Sequence, residues 1–249
     1  MEGKGFVPKV ALVTGGGSGI GRAIALALAA RGLSVGVCDI LEEKARGVSG
    51  EIDKEGGGAL PLVGDVSRKP EIEGIFSSLL TEWGQVDVVV NSAGVGGRHA
   101  AVDLAEEEWD RVLSVNLKGT FLCCQAAMRH MMVRRRGRLI NIASNYGVQG
   151  AAQMAHYAAS KGGVVALTKS LALECGPYGI TVNAVAPGPV DTPMVQRTPE
   201  QIQERGSQIP LGRIAVPEDI VGATLFLAVG DSDYITGQIL HVNGGVFMP

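Results

Sequence analysis

The chain has 249 residues, a formal net charge of −3 at pH 7 and an apolar fraction of 46%. That apolar share belongs to a folded globular protein and excludes extended disorder. The mild acidity argues against a nucleic-acid partner and against an anionic membrane surface, while length alone leaves one large or two small domains open.

Glycine is over-represented at 36 of 249 residues, about double its usual share of roughly 7%, with no collagen period to account for it. Tight turns and close backbone approaches are the expected cause. Cys38, Cys123, Cys124 and Cys175 show neither metal-ligand spacing nor a disulfide framework, so they read as reduced thiols of a cytoplasmic protein. The opening stretch MEGKGFVPK has no apolar core of signal-peptide length. The most apolar runs, AIALALAA and ATLFLAV, are far short of the roughly 20 residues a spanning helix needs. No membrane segment is expected.

In chain order, KVALVTG reads as a strand, GIGRAIALALAARG as a helix ending at Gly32, and LSVGVCD as a second strand. EEKARGVSGEIDKEGG is a polar helix, ALPLVGDV a third strand, and KPEIEGIFSSLLTEWG a helix with Pro70 in its first turn. VDVVVNSAG is a fourth strand, and one long helix is predicted over EEEWDRVLSVNLKGTFLCCQAAMRHMMVRRRG. GRLINIAS is a fifth strand, MAHYAASKGGVVALTKSLALECG a long helix and GITVNAVAPG a sixth strand. A loop punctuated by Pro and Gly precedes the helix PEDIVGATLFLAVG and the seventh strand GQILHVNGG.

This alternation predicts a parallel sheet covered on both faces. The nearly continuous apolar strand cores ALV, VDVVV and ITVNAV fit strands buried on both sides. No linker interrupts the pattern, so residues 1–249 are expected to form one α/β domain, without internal repeat or low-complexity tract.

The first strand runs into TGGGSGIG and then a helix. A backbone without Cβ atoms can approach a phosphate closely, and the helix N-terminus offers free N–H groups and positive dipole. Gly15, Gly19 and Gly21 are assigned to turn, approach and helix packing; the strand before and helix after supply the context that a bare glycine pattern lacks. Asp39 ends the second strand, where a carboxylate can accept from a ribose diol and repel a 2′-phosphate. Ile40 and Leu41 follow it, and Ser18 stands inside the loop. With no basic residue at these places, NAD is preferred over NADP. Asp65, in GDV, suits either the adenine amino group or a plain N-cap.

Tyr157 and Lys161 lie one helical turn apart in HYAASKGGV, on one helix face. Bringing a phenol from about 10 to near 7 takes about 4 kcal/mol of preferential phenolate stabilisation, and a nearby ammonium supplies an opposite charge. Ala158, Ala159, Ser160, Gly162 and Gly163 are expected to leave room for a flat cofactor ring and a substrate. Ser144 ends the fifth strand, at the sheet edge where ligands bind in open α/β folds, and its hydroxyl could hold a carbonyl oxygen.

TGGGSGIG, NSAG (Asn91 to Gly94), SVNLKG with Asn116, Ser144, YAASK and VAPGPVDTPM resemble, in order and spacing, the short-chain dehydrogenase/reductase family in its compact form. The resemblance runs from Val10 to Gly245. It implies a Rossmann-like, doubly wound sheet of seven parallel strands in order 3-2-1-4-5-6-7 with three helices on each face. It implies an NAD(H)-dependent enzyme interconverting a secondary alcohol and a ketone. Tyr157 would be the general acid/base, Lys161 would lower its pKa and bind the nicotinamide ribose, and Ser144 would orient the substrate oxygen. Asn116 would hold a water linking Lys161 to bulk solvent. The implied cofactor contacts are Gly15, Ser18, Gly19, Ile20, Gly21, Asp39, Ile40, Asp65, Val66, Asn91, Ala93, Gly94, Tyr157, Lys161, Pro187, Gly188, Val190 and Thr192. The family usually has Asn where Ser92 stands. His156 points about 100° around the helix from Tyr157 and receives no catalytic role.

The substrate pocket is expected to draw on Ser144, Asn145, Gln149, Met154, Tyr157 and Met194, with Val95, Gly96, Tyr146, Val148 and Val190 nearby. MVQRTPEQIQERGSQIP is expected to form a mobile lid. GQILHVNGGVFM and PLGRIAVPEDI are similar to the 3-oxoacyl-carrier-protein reductases, in which an arginine matching Arg135 faces the acidic carrier protein. Tyr178 stands where that subgroup has a second arginine, and Ser18 where it has a basic residue for NADPH. An acyl carrier protein partner is therefore disfavoured, and Arg134, Arg135 and Arg136 read better as a basic helix C-terminus. No metal is expected. The resemblance also implies a homotetramer paired through the helices around 104–132 and 154–175.

Overall fold

A computed structural model of the chain describes residues 6–195 and 198–249. Its sheet has seven strands in the order β3-β2-β1-β4-β5-β6-β7. These are β1 (Val10–Thr14), β2 (Ser34–Asp39), β3 (Ala59–Val63), β4 (Val88–Asn91), β5 (Gly137–Ile142), β6 (Ile180–Pro187) and β7 (Ile239–Val242). Every pairing is parallel, with Val13 opposite Val37 on one side of β1 and Val90 on the other. The parallel pairing is the one the strand–helix alternation predicts, and the strand order is the one the family resemblance implies. β1, β4 and β5 are buried along their whole length, which is why β1 and β4 read as nearly continuous apolar runs.

One face is covered by α1 (Gly19–Ala29), α2 (Glu42–Lys54) and α9 (Pro217–Val229), through Ile24, Leu28, Val48, Ile52, Ile220 and Leu227. The other is covered by α3 (Lys69–Trp83), α5 (Gly119–Arg134) and α7 (Ala155–Cys175), through Ile72, Leu79, Cys123, Met131, Leu171 and Cys175. Each fully buried large side chain contributes roughly 1.5–3 kcal/mol, so the two layers hold the sheet from both sides. No helix among the described residues is long and apolar enough to cross a membrane. All four cysteines are free and buried, and burial pushes the Cys38 and Cys124 thiols up to about 12.

Three local features depart from the sequence reading. The helix predicted from Glu106 onward is divided into α4 (Glu106–Leu113) and α5 by a π-helical turn, Ser114–Lys118, with Asn116 buried inside it. A short α6 (Tyr146–Gln149) follows β5. The segment expected as a lid contains α8 (Pro199–Ser207), started by a capping box in which Thr198 and Gln201 bond reciprocally. Residues 196 and 197 of that segment lie outside the described residues. The Thr-Pro-x-Gln pattern is a legible start signal for α8.

Candidate active site

The strand order reverses between β1 and β4, and a crevice opens at the carboxyl ends of the strands there. It is a cavity of about 610 Å³, within the range of small-molecule and cofactor sites. The glycine loop walls one side. Gly15 has φ +63° and a Cβ there would stand 2.7 Å from the Ala93 Cα, while a Cβ on Gly21 would stand 2.1 Å from the Gly15 carbonyl oxygen. The loop is thus folded back on itself and pressed against the segment after β4. Thr14 Oγ1 fixes that segment by accepting the N–H groups of Ser92 and Ala93, both at 3.2 Å. Ser18, at the N-cap of α1, makes no side-chain cap bond, so the first N–H groups of the helix are not covered by a side chain.

Asp39 lines the cavity at the end of β2. Its two oxygens accept from Gly17 N–H and Leu41 N–H, each at 3.1 Å, which orients the carboxylate with lone pairs left over. Asp65 also lines the cavity, and its Oδ1 accepts from the Ser67 N–H at 2.8 Å and the Ser67 hydroxyl at 2.7 Å. The turn-capping role therefore coexists with a place on the wall.

At the opposite end Ser144, Tyr157 and Lys161 share the wall with Met154, Pro187, Gly188, Val190, Thr192 and Met194. Lys161 is buried at 5% exposure. Its Nζ donates to the Ile142 carbonyl at 2.7 Å and sits 5.9 Å from the centroid of the Tyr157 ring. Burial lowers Lys161 from 10.5 to about 8. Burial raises the Tyr157 phenol above its ordinary value, and the hydrogen bond from Ser144 works in the opposite direction. The sequence-based picture of a phenol pulled down by its lysine is thus modified: in the chain by itself desolvation is the larger influence on both groups. Ser144 Oγ also accepts the Tyr146 N–H at 3.2 Å.

The expected role of the small residues around Tyr157 is corrected. A Cβ on Gly162 would stand 3.0 Å from the Gly147 carbonyl, and one on Gly163 would stand 2.6 Å from Leu117. Ser160 Oγ donates to the Tyr157 carbonyl at 2.7 Å and accepts from Asn116 at 3.0 Å. These positions admit α6 and the π-helical turn against α7; they do not line the cavity.

Ile20, Ile40, Val66, Ala93 and Gly94 are on the wall, whereas Asn91, Asn116, Asn145 and Gln149 are not. Asn91 points into the layer between β4, β5 and α5, where its Nδ2 donates to Asn141 Oδ1 at 2.8 Å and to Cys124 Sγ at 3.2 Å. The strand pleat turns it away from the crevice. Asn116 clamps the cavity rim instead of presenting a free amide. Its Nδ2 donates to the Val95 carbonyl at 2.9 Å and to Ser160, and its Oδ1 accepts the Val95 N–H at 2.8 Å. Asn145 is buried behind Ser144, and Gln149 is exposed at the outer end of α6, as is Val148.

Two charged wall residues escaped sequence reasoning. Lys44, in the first turn of α2, and Arg98, in the loop after β4, both line the cavity. A Cβ on Gly17 would touch both the Lys44 Cβ at 2.5 Å and Asp39 Oδ2 at 2.8 Å, so the lysine stem lies beside the carboxylate although it does not follow it directly in sequence. The basic cluster also resolves into separate jobs. Arg134 pairs with the buried Asp87 at 2.8 Å, Arg138 pairs with Asp233 at 2.5 Å, and Arg135 donates to the Pro177 carbonyl at 2.6 Å while lying over the Tyr178 ring.

A doubly wound parallel sheet with a glycine loop and a Tyr–Lys turn facing one crevice defines a Rossmann-type oxidoreductase. A family model described as enoyl-(acyl carrier protein) reductase matches residues 15–247. The chain belongs to the short-chain dehydrogenase/reductase family, whose members are oxidoreductases acting on CH–OH groups with nicotinamide cofactors. It is 43% identical over 242 residues, covering 97% of each chain, to the (2S)-[(R)-hydroxy(phenyl)methyl]succinyl-CoA dehydrogenase subunit BbsD of Thauera aromatica. It is 41% identical over 245 residues, 98% of this chain and 99% of the relative, to the 3-oxoacyl-[acyl-carrier-protein] reductase FabG of Escherichia coli. The corresponding reductase of Thermotoga maritima is 39% identical over 246 residues, 96% of this chain and 97% of its own.

Proposed function

We propose that the protein is an NAD(H)-dependent oxidoreductase that interconverts a secondary alcohol and a ketone, with Tyr157 as general acid/base. The observation that carries this reading is the meeting of Ser144, Tyr157 and Lys161 at one end of a cavity whose other end is the glycine loop and Asp39. The residues fit a dinucleotide. Ser18, Gly19, Ile20 and Gly21, with Gly15 holding the turn, would receive the pyrophosphate on the uncapped start of α1. Asp39 and Ile40 would meet the adenosine ribose, and Asp65 and Val66 the adenine. Ala93, Gly94, Tyr157 and Lys161 would border the nicotinamide ribose, with Pro187, Gly188, Val190 and Thr192 around the ring. When bound, the dinucleotide supplies the two-electron acceptor or donor for the substrate carbon.

Ser144 orients the substrate oxygen toward the phenol, and Tyr157 takes the hydroxyl proton in oxidation and returns it in reduction. Lys161 stabilises the phenolate when it is protonated. Asn116 is a positioning residue: through Val95 and Ser160 it holds the rim and the helix turn that carry Tyr157. Met154 and Met194 supply the apolar wall for the substrate.

Tyr157→Phe tests this reading. Turnover should fall by roughly 10²–10⁴-fold while NADH binding, read by fluorescence titration, stays within a few-fold. Unchanged turnover removes the tyrosine from the mechanism.

A second reading, a 3-oxoacyl or 3-hydroxyacyl thioester as substrate, is supported by the names of the relatives and by Arg98 on the cavity wall, a cation suited to an anionic carrier group. Arg134 and Arg138 are engaged internally, whereas Arg135, the position matching the carrier-facing arginine, is exposed and holds only the Pro177 carbonyl and the Tyr178 ring. Tyr178 in place of a second arginine is what speaks against a carrier protein docking there. Comparing kcat/KM for acyl-CoA thioesters and for simple alcohols separates the readings.

The chain also suits a homotetramer. Phe121 and Leu173 are exposed on α5 and α7, and Phe226, Tyr234 and Met248 are exposed beside β7. Two apolar faces of this kind fit two separate two-fold contacts. Sedimentation at the mass of a 25.8 kDa monomer would overturn this.

A further inference from the structure

Beside the proposed site, His99, Glu108 and His156 bring three ligand atoms within 4.8 Å of one another. We propose that these three residues bind a divalent first-row transition ion such as Zn²⁺, which clips the loop after β4 to α4 and to the first turn of α7. His156 is wholly buried, and neither of its ring nitrogens has a hydrogen-bond partner. A buried polar group left this way costs about 1–3 kcal/mol, so its presence calls for an atom that satisfies it.

Glu108 Oε1 stands 3.9 Å from His156 Nε2 and 4.0 Å from His99 Nε2. These separations are too long for direct hydrogen bonds. Ligands placed about 2.0–2.1 Å from a tetrahedral zinc stand about 3.4 Å apart, so the two Glu108 separations close by about 0.6 Å or less, and the remaining pair, within 4.8 Å, by at most about 1.4 Å shared between two side chains. Two imidazoles with one carboxylate select zinc-like ions over magnesium or calcium, which prefer oxygen ligands.

The surroundings support the site. Arg111 donates to Glu108 Oε2 at 2.7 Å and to Oε1 at 2.8 Å, fixing the carboxylate as outer-shell partners of metal ligands do; each oxygen keeps a further lone pair. The His99 backbone N–H donates to the Gln153 carbonyl at 2.8 Å, which already ties the loop to the approach of α7. A Cβ on Gly97 would stand 3.1 Å from His99 Nε2 and 3.4 Å from Glu108 Oε1, so glycine there keeps the space beside these atoms clear. The His99 side chain is 45% exposed, which provides an entry path and an outer position for water. The inference is independent of the redox reading, because none of the three residues is assigned to proton transfer or to the dinucleotide.

The test uses the full chain, stripped with chelator and titrated with ZnCl₂ by calorimetry and with CoCl₂ by visible absorption. One zinc per chain, a raised thermal midpoint, and cobalt d–d bands of a four-coordinate site without a thiolate charge-transfer band are expected. His99→Ala, at an exposed position, should weaken zinc binding at least tenfold with an unchanged circular dichroism spectrum, and Glu108→Gln should do the same. Absence of saturable zinc binding, a thiolate band, or wild-type affinity in His99→Ala overturns the proposal and leaves a bridging water as the occupant.

Discussion

Replacing Lys161 with methionine should stabilise the protein at neutral pH while removing its turnover. Lys161 is 5% exposed, and burial lowers its ammonium from 10.5 to about 8. That difference corresponds to about 3 kcal/mol, carried as a penalty by the folded state wherever the native ammonium is protonated. Methionine is of similar length and has no charge to desolvate. The substitution also deletes the hydrogen bond from Nζ to the Ile142 carbonyl, which costs about 1 kcal/mol. Net stabilisation at pH 7 is therefore about 2 kcal/mol. The sign reverses with pH. Between about 8 and 10.5 the unfolded chain keeps a proton that the native state has released, so the wild type gains stability relative to the variant as pH rises. Above that window only the lost hydrogen bond remains, and the variant becomes the less stable by about 1 kcal/mol. Urea unfolding at matched protein concentration, at pH 7 and again above pH 10, measures both differences. A variant no more stable than wild type at pH 7, or a difference that does not change with pH, refutes the argument that burial stresses this lysine.

Gly21→Ala places a Cβ 2.1 Å from the Gly15 carbonyl oxygen, so the loop must open; NADH affinity should drop more than tenfold, which a fluorescence titration reads. Asp39→Ala removes the carboxylate while leaving Lys44 on the wall; the ratio of kcat/KM for NADPH over NADH should rise at least tenfold, and an unchanged ratio removes Asp39 from cofactor discrimination. Asp87→Ala strands the N–H groups of Lys9 and Val10 and removes the ion pair with Arg134, which keeps the Gln85 and Val86 oxygens; the loss should be roughly 2–4 kcal/mol by urea unfolding.

Much of the fold was legible because it rests on local periodicity. Residues 10–13 and 88–90 are apolar without interruption because both faces of each strand are covered, and that is visible before any neighbour is known. The glycine loop was legible for the same reason: Gly15, Gly19 and Gly21 answer to steric demands within one turn of chain. Tyr157 and Lys161 share a face because one helical turn separates them. The capping box of α8 was equally open to reading in Thr198 and Gln201.

What occupies a face is a different matter, since it depends on chain segments far apart in sequence. Spacing alone cannot say that Asn91 turns toward Asn141 and Cys124, that Asn116 holds Val95, or that Gln149 ends outside the cavity. Nor can it say that Gly162 and Gly163 admit protein backbone and Leu117, or that Lys44 comes to lie beside Asp39. His99, Glu108 and His156 are likewise scattered in sequence and meet only because a loop, α4 and α7 pack together. The amino-acid order by itself determined the strands, the main covering helices, their alternation and the spacing of the Tyr157–Lys161 pair, because those follow from the geometry of a few adjacent residues. Tertiary packing alone decided the contents of the cavity wall and the protonation tendencies of Tyr157 and Lys161, because burial and long-range contact arise only once the layers close.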